Sequence, residues 1–188
     1  MNTVIKATSA EAIRGLLSLV KANQPILDVT YGSGDFWIGG DLEVVGCDID
    51  PSRAKDCIID FTNLPFGDSA FPTVVFDPPF HPYVGSIEEK QFKGLGKNDL
   101  ELKNLFIDGV RECWRVTSRH LLIKCQGYIH NHHPQWMPIW AFSVCGEPFE
   151  WLIVYRDHKR ISGRWKNSFS LRRNHADYII FDKNGNKR

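Results

Sequence analysis

Ile26-Leu-Asp-Val-Thr-Tyr-Gly-Ser-Gly34 decides the fold, because an apolar run ends there in a carboxylate and passes at once into a turn holding two glycines. The missing Cβ atoms of Gly32 and Gly34 let a ligand lie against the backbone at the end of a buried strand. The third glycine of a dinucleotide fingerprint is absent, so the segment needs support from its surroundings.

That support lies downstream. Further apolar runs cover Glu43 to Asp48, Cys57 to Asp60, Thr73 to Phe76 and His120 to Cys125. Continuous rather than alternating, they fit strands of a parallel sheet buried on both faces. Ala12, Ile13, Leu16, Leu17 and Val20 recur at helical spacing, which predicts a helix over 10–23 with Ser9 as its cap, stopped by Asn23 and Pro25. Leu102, Leu105, Phe106, Val110, Cys113 and Trp114 predict a crossover helix over 99–115, and residues 135–145 suggest another. Trp151 to Tyr155 and Tyr178 to Phe181 follow with no helical pattern between them, as expected of an antiparallel pair closing an otherwise parallel sheet. Residues 81–98 carry three glycines and no periodicity, and read as a long functional loop.

Four strand ends carry the chemistry. Asp48 ends a strand some 20 residues beyond Asp28, where a carboxylate accepts hydrogen bonds from ribose hydroxyls; a polar strand terminus or helix cap is the alternative. Asp60-Phe61 offers an acceptor and an apolar face to an adenine ring, or else simply forms a turn. Most informative is Val74-Val-Phe-Asp-Pro-Pro-Phe80, in which a strand delivers Asp77 to a backbone stiffened by Pro78 and Pro79. Asp77 and the Pro78 carbonyl can each accept a hydrogen from a planar amino group and aim its lone pair at a methyl donor, while Phe80 offers a stacking surface. No strong base is needed, because the nitrogen sheds its proton only as the new bond forms.

In this order, Asp28-x-Thr-x-Gly-x-Gly34, Asp48, Asp60 and Asp77-Pro-Pro-Phe80 resemble the class I S-adenosylmethionine-dependent amino-methyltransferases, above all the adenine-N6 DNA methyltransferases. The resemblance implies an α/β Rossmann-like, seven-stranded, mostly parallel sheet with one antiparallel strand near the C-terminus and helices on both faces. It implies S-adenosylmethionine as cofactor, with Asp28, Thr30, Tyr31, Gly32 and Gly34 at its methionine part, Asp48 and Ile49 at the ribose end, Asp60 and Phe61 at adenine, and Asp77 between cofactor and substrate. Asp77, Pro78, Pro79 and Phe80 would hold the target base. The expected activity is site-specific methylation of adenine N6 in DNA; an RNA adenine methyltransferase is the nearest rival. Cytosine N4 and protein glutamine fit less well, and a non-catalytic nucleic-acid-binding subunit of a methyltransferase complex is the alternative from another class.

Residues 1–188 read as one domain, with no insertion large enough for separate target recognition. Recognition would then fall to the 81–98 loop, to a basic segment, or to a homodimer mate or partner subunit. Residues 151–188 hold 10 Lys and Arg against 3 Asp and Glu, whereas residues 1–150 hold 13 against 19. Within the basic part, Arg160, Arg164, Lys166, Arg172 and Arg173 can neutralise phosphates and Trp165 can stack on an unpaired base, with Lys124 reaching phosphate from its strand end. From charge alone, a solvated face is an equal alternative. No apolar stretch approaches the roughly 18 residues of a membrane span, and no leader is evident, so a cytoplasmic protein of prokaryotic or phage origin is expected. The five cysteines form no CxxC pair and read as reduced, packed thiols; His130-Asn-His-His133 lacks matching ligands, so no metal is expected.

Overall fold

The computed structural model describes residues 3–79, 99–130, 133–155 and 175–185. Strand β1 (Val4–Lys6) leads into helix α1 (Ser9–Leu19), β2 (Ile26–Asp28), β3 (Val44–Asp48), β4 (Cys57–Ile58) and β5 (Phe71–Phe76). Helix α2 (Asp99–Val116), β6 (Thr117–Cys125), the hairpin β7 (Tyr128–His130) and β8 (His133–Gln135), helix α3 (Met137–Cys145), β9 (Glu150–Tyr155) and β10 (His175–Asp182) follow.

The main sheet has the order β1-β9-β10-β6-β5-β2-β3-β4. Seven strands run parallel and β10 runs antiparallel to both its neighbours, β6 and β9. The expected closing pair is present, with Trp151 opposite Ile179 and Leu152 opposite Tyr178. The expected seven strands become eight because Val4–Lys6 adds to the outer edge of β9, pairing Val4 with Ile153 and Lys6 with Tyr155. Three residues are too few to show a period, yet they satisfy backbone groups an edge strand would leave open.

Burial on both faces explains the continuous apolar runs. Val74 and Phe76 of β5, with Leu121 and Ile123 of β6, point to the face covered by Leu102, Phe106, Val110 and Cys113 of α2. The alternate residues Val75 and Leu122 point to the opposite face, against Ala12, Ile13, Leu16 and Leu17 of α1. Helix α1 is capped by Thr8 rather than Ser9. The Glu11 amide donates to Thr8 Oγ1 (3.2 Å) and the Thr8 amide to Glu11 Oε2 (2.7 Å), a reciprocal pair that satisfies two helix-end donors. Ser9 instead accepts a hydrogen bond from the buried Tyr178 hydroxyl (2.8 Å). The helix ends at Leu19, a turn short of Asn23, and helix α3 begins at Met137 rather than at 135.

Two helical glycines test this packing. A Cβ on Gly109 of α2 would lie 2.6 Å from the Phe76 ring and 2.8 Å from the Phe61 ring, whereas one on the exposed Gly15 of α1 would meet nothing within 4 Å. Gly15→Ala should therefore raise the unfolding free energy by about 0.5–1 kcal/mol through helix propensity. Gly109→Ala should lower it by about 1–3 kcal/mol because two rigid rings must move. Urea denaturation of the two variants measures both.

Candidate active site

Strand order reverses at β2: the chain proceeds to β3 and β4 on one side, then crosses to β5 and β6 on the other. Loops leaving β2 and β5 therefore diverge and open a crevice at the carboxyl ends of the strands. A cavity of about 740 Å³ occupies it, walled by residues after β2 (Val29 to Ser33, Asp35, Phe36), after β3 (Asp48, Ile49, Asp50, Arg53), by Phe61, by Asp77 and Pro79 after β5, by Lys124 of β6, and by Thr8 to Ala10 at the start of α1.

The glycine turn is built around Tyr31. Gly32 and Gly34 adopt φ of 57° and 72°, the left-handed region where a side chain is strained. A Cβ on Gly34 would stand 2.6 Å from the Tyr31 hydroxyl, and one on Gly46 of β3 would stand 2.3 Å from the Tyr31 ring. The bare backbone of Gly34 thus accommodates an aromatic ring of the protein itself, and Gly34 is not on the cavity wall. Gly32 is on the wall, where an added Cβ would meet only the Thr30 carbonyl at 3.8 Å.

The strand-end acids divide into two kinds. Asp28 is 0% exposed and lies behind the wall. It accepts hydrogen bonds from the Thr30 amide (3.0 Å) and Trp37 Nε1 (2.7 Å), Trp37 belonging to the short 3-10 turn Asp35–Trp37. Asp28 therefore anchors the turn from beneath, off the cavity wall. Asp60 is exposed and also off the wall; its Oδ1 accepts from the Thr62 amide (2.8 Å) and hydroxyl (2.7 Å), the turn-forming alternative. Asp48 does face the cavity. It joins two loops by accepting from the Gly32 amide at Oδ2 (3.0 Å) and the Asp50 amide at Oδ1 (2.9 Å). Beside it Ile49 is 48% exposed and Phe61 is buried on the wall, its ring packed edge-on to Phe76 at 5.1 Å.

Asp77 reaches the same cavity from β5. Its amide donates to Thr30 Oγ1 (2.8 Å), tying the β5 loop to the glycine turn, and its Oδ2 lies 2.5 Å from Lys124 Nζ. Lys124 does not extend outward to phosphate: it is 6% exposed, and its ammonium sits 5.0 Å from the Phe36 ring centre. Pro78 is buried and off the wall, Pro79 is on it, and Phe80 lies outside the described residues. So do the 81–98 loop and Arg160, Arg164, Trp165, Lys166, Arg172 and Arg173. The flanking Tyr155 and His175 are paired across β9 and β10 at the end of the sheet where β5 delivers Asp77.

Thr8 to Ala10, Phe36 and Arg53 also line the cavity, and sequence reasoning did not find them. Lys124 interrupts an apolar strand one residue beyond Ile123, and the pairing of Ile123 with Phe76 is what sets it beside Asp77. Among the described residues no group of three or more His, Cys, Asp or Glu could hold a metal ion, and His130 Nδ1 lies 4.0 Å from Asp99. No described helix is long and apolar enough to cross a membrane. All five cysteines are free thiols, with Cys47, Cys113 and Cys125 buried.

No protein-family model matches the chain, and no curated protein matches it by sequence. Its similarity to solved structures is extensive. A candidate methyltransferase from Bacillus halodurans C-125 superposes with a TM-score of 0.61 at 15% identity, covering 94% of this chain and 99% of that one. A Thermoplasma acidophilum protein gives 0.57 at 19% identity over 93% and 88%, and a SAM-dependent methyltransferase from Methanosarcina mazei gives 0.51 at 10% over 95% and 99%. The fold is the Rossmann-like class I fold of S-adenosylmethionine-dependent methyltransferases, with one additional edge strand.

Burial raises Asp28 to about 7 against the opposing hydrogen bonds of Trp37 and Thr30, with the negative charges of Asp77 and Asp48 adding to the rise. A carboxyl that holds its proton more firmly folded than unfolded contributes its full stability below about pH 4, and loses it as pH climbs through the folded value. Because the Trp37 N–H favours the ionised form, Trp37→Phe should destabilise the protein more at pH 8 than at pH 5, by about 1 kcal/mol. Paired urea titrations of variant and parent at the two pH values measure this difference.

Proposed function

We propose that the protein transfers the methyl group of S-adenosylmethionine to the N6 amino group of adenine in DNA. One observation carries the reading: Asp77, the first residue of Asp-Pro-Pro-Phe, shares a single cavity at the sheet's reversal point with Asp48, Gly32 and Phe61. Its volume of about 740 Å³ suits a cofactor together with a substrate group. The lining also fits the cofactor's parts. Asp48 would receive the ribose hydroxyls, the exposed Ile49 and the ring of Phe61 would enclose adenine, and the open backbone at Gly32 would admit the methionine portion.

S-adenosylmethionine, when bound, supplies a methyl group on a sulfonium. The chain's task is then to present one nitrogen lone pair along the line of the carbon–sulfur bond and to accommodate the charge that follows. Asp77 and the Pro78 carbonyl would accept the two N–H hydrogens, turning the lone pair out of conjugation with the ring. Positive charge would grow on the nitrogen during the transfer, beside the Asp77 carboxylate. The nitrogen would then return to neutral by giving one proton to solvent, through the Asp77 carboxylate beside it. The base must leave its stack to enter such a cavity, at less cost in a single strand than in a duplex. Tyr155 and His175, which flank the basic and aromatic segment, lie at this end of the sheet, and that segment would hold the nucleic acid.

Incubation with methyl-labelled cofactor and matched DNA and RNA, followed by nucleoside analysis, tests the reading. Label in N6-methyldeoxyadenosine is expected; label confined to RNA moves the substrate to RNA, and label confined to protein overturns a nucleic-acid substrate. Asp77→Ala should lower kcat by about 10²–10³-fold while cofactor binding, followed by calorimetry, persists.

A further inference from the structure

We propose that Lys124 is a positioning residue whose ammonium keeps the Asp77 carboxylate ionised and fixed for accepting the substrate amine. This rests on the methyl-transfer reading of the same cavity. The contact follows from sheet geometry. Strands β5 and β6 are parallel neighbours in which Phe76 pairs with Ile123, so Asp77 and Lys124 emerge side by side. The two side chains close to 2.5 Å, with exposures of 17% and 8%. A lysine head group buried that far is stable only when its charge is compensated, and the compensation here comes from the residue that would touch the substrate. Phe36 covers the ammonium from the β2 loop and limits the water that would weaken the pair.

The surroundings explain why a cation is required. Asp48 from β3 lines the same cavity as Asp77 from β5, and Asp28 from β2 lies just behind its wall, where burial chiefly, and the charges of Asp77 and Asp48 in smaller measure, raise its proton affinity. Asp35 and Asp50 lie further along the cavity wall, where, among the described residues, Arg53 is the other cation and stands 3.8 Å from Asp50. Without the β6 ammonium, the cheapest relief of this crowding is protonation of a carboxylate at the cavity. A protonated Asp77 would be useless to the reaction. Its hydroxyl would donate towards the amine lone pair that must attack, and it would bring no charge to balance the nitrogen cation.

The inference is tested on the full-length protein carrying 13C-carboxyl-labelled aspartate, with Asp77→Asn assigning the resonance. In Lys124→Met, the Asp77 titration midpoint should rise by at least one pH unit, a tenfold gain in proton affinity, while Lys124→Arg stays near the parent. The acid limb of kcat should move upward by the same amount in Lys124→Met, with the cofactor Kd changed less than about threefold. An unmoved Asp77 midpoint in Lys124→Met overturns the proposal. If Lys124→Met does not fold, Lys124→Gln retains a donor without the charge; a parental midpoint in that variant overturns the proposal, and a raised one supports it. The titration needs no substrate, so absence of methylation by the parent would remove the proposed reaction while leaving this measurement decisive for the ion pair.

Discussion

Strand β2 has parallel partners on both sides, β3 and β5, and this saturation governs the rest of the molecule. With its backbone groups fully engaged and its three side chains buried, the chain can leave only by turning over the sheet edge, and the next crossovers must go to opposite sides. The diverging loops make the crevice. The same arrangement brings acidic residues from β2, β3 and β5 within a few residues of one another, since each sits where its strand ends.

Such crowding of carboxylates is managed by assigning them different surroundings. Asp28 is sealed beneath the turn and satisfied by two N–H donors; Asp48 ties the turn to the next loop; Asp77 takes an ammonium from the neighbouring strand. Three residues of one type therefore acquire three different settings: buried scaffold, bridge between loops, and ion pair at the cavity. Burial and partners decide which is which, as for any set of chemically identical acids placed in unlike environments.

Much of the architecture was legible because it rests on long apolar runs. The strands at Thr73 to Phe76 and His120 to Cys125, the helix at 99–115 and the antiparallel closing pair all register as patterns that only one packing satisfies. Short elements carried no such signal. Strand β1 and the β7–β8 hairpin are three residues per strand and exist through pairing rather than periodicity. For the candidate site, Asp48, Gly32, Phe61 and Asp77 share one cavity because motif spacing places strand ends together. Asp28, Gly34 and Asp60 lie off the cavity wall with partners in the turn or at the surface, a placement fixed by side-chain direction that spacing does not encode. Lys124 was misread for a related reason: a lysine at a strand end ordinarily sends its head to water, and only the register with β5 reveals the carboxylate waiting beside it.

The insertion of Tyr31 against both Gly34 and Gly46 binds three positions from one loop and strand β3 into one unit. A side chain at either glycine displaces the ring, while a smaller residue at 31 leaves an unfilled space against bare main chain on two sides. Changes here are therefore strongly epistatic: a substitution harmful alone becomes tolerable only with its counterpart. The turn then changes shape only by concerted replacement, so the cavity wall at Tyr31 is held by two positions that never touch the cavity themselves.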